Sequence, residues 1–330
     1  MVWNFKSTMR PFRFVGHKGR VHDVKVAPSG SMIASSGADG NIRLWNNTVE
    51  GHSQIIKAYH ESIRSIDLSH NGQLLLAACG MHLKVFNTND NKQAFNLEHS
   101  HNNFIRSCKF SPDVRVLASA SDDKTVKLWD FTSRQQIVQF CDHDQQVNSV
   151  RFHPDGTCVA SGSCDRTIKI WDIRSQRLIQ HYDAHSDEIN EIDFHPNGRY
   201  LLSTSNDSTI KIWDLRQGHI LYTLYGHEGA STSAAFSPCG DYFTTGGSDS
   251  VVMVWKSNLE ETDQEFIEDF GAKQGFNEQV GGAPSVPPRR PPTAKKATGG
   301  KSSARKTANA SPSKSQMGKG AAADMNYQEA

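Results

Sequence analysis

Seven aromatic residues, Trp3, Trp45, Phe86, Trp129, Trp171, Trp213 and Trp255, recur along the chain at a near-constant interval that never varies by more than one position. A period this regular over most of a 330-residue chain leaves few folds open. Each unit must be one supersecondary element, and neighbouring units must bury one another's apolar faces. Three polar marks keep the same register. A histidine precedes five of the aromatics at one fixed offset (His17, His101, His143, His185, His227). A hydroxyl stands ten before them (Ser35, Ser119, Ser161, Ser203, Thr245), and an aspartate six before (Asp39, Asp123, Asp165, Asp207, Asp249).

Within each unit the apolar runs are short and the breakers regular. TVKLWD, TIKIWD, TIKIWD and VVMVW read as strands of alternating apolar residues that end in tryptophan. P-D-G and P-N-G in FHPDGTCVASGSC and FHPNGRYLLSTSN mark turns, and nothing carries a helical period. Four short strands fit in each unit.

A unit with G-H near its start and W-D at its end resembles the WD repeat, from Met1 to about Asn258. The resemblance implies an all-β WD-repeat β-propeller with four strands per blade, so that sheet edges are short and protected. It also implies a shared structural role for each His, Ser/Thr, Asp and Trp set: Asp accepts from His, His bridges to the hydroxyl, and the hydroxyl meets the indole N–H. A Ser, His and Asp together suggest a hydrolase, but five copies each completed by a Trp donor are expected to be architecture. The second repeat departs, with Gly80, Leu76 and Phe86 in place of Asp, hydroxyl and Trp, and with His60 as a loose stand-in for the histidine. Its network cannot form, and apolar packing is expected to hold that blade.

MVWNFK at Met1–Lys6 repeats the spelling of MVWKSN at Met253–Asn258. It reads as the third strand of a repeat whose first two strands lie upstream. The expectation is a seven-bladed parent ring with the first blade incomplete, short of most of one unit. The alternative is a six-bladed ring closed by a strand near Phe12–Val15. Either way, the seam between the two ends should be the weak point.

The charges divide the chain further. Residues 1–258 are balanced, with 26 Lys+Arg against 26 Asp+Glu. Residues 259–280 form an acidic connector, one base against seven acids, net −6. Residues 281–330 form a basic low-complexity tail in which Gly281–Gly320 has nine bases and no acid. The tail is rich in Pro, Gly, Ala, Ser and Lys and is expected to be disordered. Its bases, Arg289, Arg290, Lys295 and Lys296 among them, would attract a polyanion: the acidic outer face of a microtubule, nucleic acid, or the protein's own acidic connector. No aromatic lies between Phe276 and Tyr327 to stack on bases, which disfavours nucleic acid. A merely solubilising tail or a nuclear-import patch is the plain alternative.

No signal segment opens the chain, and no run of eighteen apolar residues occurs, so a soluble intracellular protein is expected. Six scattered cysteines without C-x-x-C read as reduced packing residues rather than zinc ligands or disulfides. No cofactor, metal or small-molecule substrate is expected, and the chain is not expected to be an enzyme.

The stretches RPFRFVGHKG, DDKTVKLWDFTSRQQIVQF, DSTIKIWDLRQGHILYTLYGHEG and GDYFTTGGSDSVVMVWKSN resemble the centriolar WD-repeat family called proteome of centriole protein one. That resemblance implies a structural scaffold of centrioles and basal bodies. Such a protein supports microtubule triplet integrity and cilium assembly, with centriolar proteins and microtubules as partners. It is placed in the cytoplasm, at the cytoskeleton and ciliary basal body. A second resemblance rests on WDIR at Trp171–Arg174 and WDLR at Trp213–Arg216. These match the W-D-x-R motif of substrate receptors in cullin-RING ubiquitin ligases, in which Arg174 and Arg216 would dock an adaptor. For a partner face, the expected residues are Arg20, His22, Gln146, Asn148, Glu188 and Asn190 at the start of inner strands. Asp122, Cys164, Asn206 and Ser248, just before the turn aspartates, complete the set.

Overall fold

The computed structural model describes residues 13–46 and 53–259. Among them are 23 strands in six antiparallel sheets. The first blade holds β1 Val21–Val26, β2 Met32–Gly37, β3 Asn41–Asn46 and β4 Ser53–Lys57, and the second β5 Ile63–Leu68, β6 Leu74–Cys79, β7 His82–Asn87 and β8 Gln93–Leu97. The third holds β9 Ile105–Phe110, β10 Val116–Ser121, β11 Val126–Asp130 and β12 Gln136–Phe140. The fourth holds β13 Val147–Phe152, β14 Cys158–Ser163, β15 Thr167–Asp172 and β16 Arg177–Asp183. The fifth holds β17 Ile189–Phe194, β18 Tyr200–Ser205, β19 Thr209–Asp214 and β20 His219–Tyr225, and the sixth β21 Ser231–Phe236, β22 Tyr242–Gly247 and β23 Val252–Lys256.

The alternation in TIKIWD is used on both faces. Ile168 and Ile170 are buried against the fifth blade, while Trp171 is buried against the third. Each such Ile contributes on the order of 1.5–3 kcal/mol by leaving water. The lysine between the two apolar residues extends its ammonium to a loop carbonyl: Lys127 to Ser100 at 2.8 Å, Lys169 to Asp142 at 2.7 Å and Lys211 to Ala184 at 2.8 Å. The apolar stem is thereby buried while the charge stays hydrogen-bonded.

Five apolar clusters join consecutive blades, first to second through fifth to sixth. Among the described residues no such cluster joins the sixth blade to the first. Val252 and Val254 stand where the fifth blade has Ile210 and Ile212, yet they are 67% and 48% exposed, against 0% and 2%. On the other side Val24 is 50% exposed where Ile66, Cys108, Val150 and Ile192 are fully buried.

The described residues therefore build six blades, the number of the alternative reading. Met1–Trp3 and Phe12 lie outside them, as do the basic tail and nearly all of the acidic connector, while Arg13, Phe14 and Val15 form no strand. Leu259, expected to open the connector, is instead fully buried between the fifth and sixth blades and belongs to the body. The cysteine reading also needs correction. Cys79, Cys108 and Cys164 are buried and Cys158 half-buried, but Cys141 and Cys239 are exposed, because both stand in loops just outside the strands.

Candidate functional site

In five of the six blades the four side chains of the repeat meet in space. In the fourth blade His143 Nδ1 lies 2.7 Å from Asp165, its Nε2 lies 2.7 Å from the Ser161 hydroxyl, and Trp171 Nε1 donates to that hydroxyl at 3.0 Å. In the first blade His17, Asp39, Ser35 and Trp45 give 2.9, 2.8 and 2.8 Å for the same three contacts. In the third, His101, Asp123, Ser119 and Trp129 give 2.9, 2.7 and 2.9 Å. The fifth (His185, Asp207, Ser203, Trp213) gives 3.0, 2.8 and 2.9 Å, and the sixth (His227, Asp249, Thr245, Trp255) 3.0, 2.9 and 3.0 Å.

The donors fix the direction of the chain of bonds. An indole N–H can only donate, so the hydroxyl oxygen accepts from Trp, and an ionised carboxylate can only accept, so Asp takes the proton on Nδ1. In a neutral ring, as at His101 and His185, Nε2 then accepts from the hydroxyl. Burial, opposed by the Asp123 and Asp207 carboxylates, holds His101 and His185 below their ordinary pKa, in keeping with a neutral ring. Burial raises Asp39, but N–H donors from Lys18, His17 and Asn41 outweigh it and bring the carboxyl to about 2. Asp207 is likewise at about 2, and Asp123 and Asp165 are also strongly depressed by donated hydrogen bonds that overcome burial.

This Asp–His–Ser order matches that of a hydrolytic triad, so accessibility decides what it can do. Ser119, Ser161 and Ser203 are fully buried, Thr245 is 1% exposed and Ser35 5%. With the indole on one side of the hydroxyl and the imidazole on the other, no substrate carbonyl can reach it. The sets clamp the loop before each inner strand to the turn between the second and third strands.

The second blade reaches the same end without the clamp. Pairing aligns Ala77 with Ile66 as Ser119 aligns with Cys108, so Ala77, not Leu76, holds the hydroxyl's place. Counting back from Phe86 misplaces it because the turn at Gly80–Met81 is one residue shorter. Tyr59, one period after His17, takes the histidine's place. The Tyr59 ring packs so closely on Gly80 that a Cβ there would lie 2.9 Å from it, and Lys84 sits over the ring at 5.3 Å. His60 is exposed, 3.8 Å from Glu61, and is no substitute.

Inner strands are tied to one another by side chains that the repeat pattern did not single out. Asp23 accepts the Ile66 N–H at 3.0 Å, Asp67 that of Phe110 at 2.8 Å and Asp193 that of Phe236 at 2.8 Å. Their sequence signal is an acid or serine at alternate positions of the inner strands. Of the expected face residues, Asn148 donates to the Ile189 carbonyl at 2.7 Å and Asn190 to the Ser231 carbonyl at 2.8 Å. Asp122 pairs with Arg106, and Cys164 is buried beside Asn148. Arg174 and Arg216 are exposed; their backbone N–H groups cap Asp172 and Asp214 at 2.8 Å. Arg289, Arg290, Lys295 and Lys296 lie outside the described residues. Among the described residues no group of three or more His, Cys, Asp or Glu is placed to hold a metal.

A family profile described as the WDR36/Utp21 second beta-propeller domain matches residues 91–269, more than half the chain, and one described as WD domain, G-beta repeat matches residues 9–46. The chain belongs to the WD-repeat β-propeller family. Relatives of this WD-repeat propeller include a guanine nucleotide-binding protein subunit beta of Zea mays, 31% identical over 135 residues, 38% of this chain and 35% of that one. The nuclear distribution protein nudF of Aspergillus flavus is 27% identical over 130 residues, 38% of this chain and 28% of its own. The small ribosomal subunit protein RACK1 of Caenorhabditis elegans is 32% identical over 125 residues, 38% of each chain. The match thus spans about a third of the length of these curated relatives. A WD-repeat propeller is a scaffold for protein–protein interaction, and this chain has that architecture.

Proposed function

We propose that this propeller is a non-enzymatic structural scaffold of centrioles and basal bodies. It acts in the cytoplasm, at the cytoskeleton, and supports microtubule triplet integrity and cilium assembly through contacts with centriolar proteins and microtubules. The observation that carries the scaffold role is that every Asp–His–Ser/Thr–Trp set is spent on holding a blade, which leaves the loop faces as a rigid polar surface suited to protein partners. The centriolar assignment is supported by the wording of RPFRFVGHKG, DDKTVKLWDFTSRQQIVQF and DSTIKIWDLRQGHILYTLYGHEG, and by the nine-base tail segment that suits an acidic microtubule wall. Tagged full chain should concentrate at basal bodies. It should also co-sediment with microtubules, whereas a chain ending at Leu259, which keeps the last buried residue of the body, should stay in the supernatant. Diffuse cytoplasmic signal, with no co-sedimentation of either chain, contradicts this reading.

The exposure of Arg174 and Arg216 favours a second reading, a substrate receptor of a cullin-RING ubiquitin ligase docked through W-D-x-R. Copurification of the adaptor, lost in the Arg174→Ala Arg216→Ala double variant, would replace the first reading with this one.

A further inference from the structure

The second residue of each inner strand is His22, Arg64, Arg106, Asn148, Asn190 or Thr232 in blade order. In the fourth and fifth blades this side chain serves the fold, since each Asn bridges to a carbonyl of the next blade. In the first three blades a histidine and two arginines stand there instead. Arg106 pairs with Asp122. Arg64 has no carboxylate partner among the described residues; its guanidinium lies 5.6 Å over the ring of Phe104, which is 42% exposed. Arg20, two residues before His22, is exposed and also has no carboxylate partner among the described residues. Burial, then Arg20, then Arg64 hold His22 below its ordinary pKa, so the two cations act on one ring without a neutralising acid. His22, Arg64, Arg106 and Asn148 line one end of a cavity of about 360 Å³.

The deeper wall of that cavity is different. There Lys25 lies beside Asp23, and Arg151 pairs with Glu191 and, at 3.3 Å, with Asp193. Positive charge is compensated inside and left uncompensated at the mouth. Arg fits planar carboxylates with two parallel hydrogen bonds, and a neighbouring aromatic adds an apolar contact.

We propose that the cavity end lined by His22 and Arg64, flanked by Arg20 and Phe104, is a recognition site for an acidic segment of a partner polypeptide, with a carboxylate held by the arginines and an apolar side chain set on Phe104. A nucleic acid fits less well. The cationic arc covers only the first three blades, Asp122 and Glu188 share the rim, and Phe104 alone offers a stacking surface there. The inference needs the propeller to be an interaction platform but is independent of its centriolar placement.

The test uses the full chain and a fluorescein-labelled peptide of eight glutamates ending in one tryptophan, followed by fluorescence anisotropy. The unsubstituted chain should bind about tenfold more tightly than either the Arg20→Ala or the Arg64→Ala chain, the loss expected for one charge-assisted contact. Arg177→Ala, exposed at the opposite end of the strands, should leave the affinity unchanged. Thermal melts of the two mouth variants should match the unsubstituted chain, since neither arginine is buried. Equal affinity in all chains would assign the peptide to the basic tail and overturn the proposal. So would an eight-nucleotide single-stranded DNA that binds more tightly than the peptide and is weakened by the same two substitutions.

Discussion

Asp193 of the fifth blade accepts the backbone N–H of Phe236 in the sixth at 2.8 Å, and through its other oxygen it meets Arg151 of the fourth at 3.3 Å. One carboxylate thus spans three blades whose inner strands share no ladder of backbone bonds. Asp193→Ala leaves a strand N–H and an arginine short of a partner and should cost roughly 1–3 kcal/mol in urea denaturation. Asp193→Asn keeps an acceptor oxygen and should cost less. Equal losses for the two would show that the N–H contact contributes little.

Stability should fall on acidification in two stages. His101 and His185 have depressed folded pKa values, so their contribution is fully present above the unfolded value near 6.5 and erodes as pH drops below it. Asp39 and Asp207, at about 2 when folded, contribute above the ordinary carboxylate value near 4 and lose that contribution as pH falls towards 2. Melting temperatures measured from pH 8 to pH 2 should decline first below pH 6.5 and again below 4. A flat profile down to pH 4 would show that the histidines take up no extra protons on unfolding.

Val114 holds a φ of 59°, in the left-handed region, at the turn where other blades place Gly30, Gly156, Gly198 and Gly240. A β-branched residue there is strained by about 1–2 kcal/mol. The Val114→Gly chain should therefore be as stable as the original or more so, despite losing a half-buried side chain. A drop in melting temperature would mean that the packing of Val114 on the third blade outweighs its strain.

The exposed valines place the least protected part of the body at its two ends. Amides of β1, β22 and β23 should exchange with deuterium faster than those of β14, β15 and β18, which lie between complete neighbours. Uniform protection across all six blades would show the seam to be closed.

Much of this was legible because one fixed period sets strand count, turn position and the partners of each Trp at once. The misreadings have local causes. Counting back from Phe86 put the hydroxyl site on Leu76 because a turn shortened by one residue shifts everything before it, and Tyr59 was missed because tyrosine is not expected in a histidine's place. Nothing in the spelling of TVKLWD and TIKIWD marks the lysine as buried, yet Lys127 is buried with its ammonium on a carbonyl. Asp23, Asp67 and Asp193 sit in the same strand as many other polar residues, and only the juxtaposition of blades shows which of them reach a neighbour. The spelling of Val252 and Val254 matches that of buried strands, so their exposure was legible only through the expectation of a weak seam, not from the strand itself.

The central claim is that the repeated polar sets are architecture, and alanine at the hydroxyl position of each blade tests it most directly. Thermal unfolding of Ser35→Ala, Ser119→Ala, Ser161→Ala, Ser203→Ala and Thr245→Ala should show a loss in every case. About 1–3 kcal/mol is expected from stranding an indole N–H and an imidazole, while Ala77→Ser in the second blade should bring no gain. If four of the five substitutions left stability untouched and the fifth abolished a measurable hydrolytic turnover, the sets would be one catalytic site with four remnants, and the claim would be wrong.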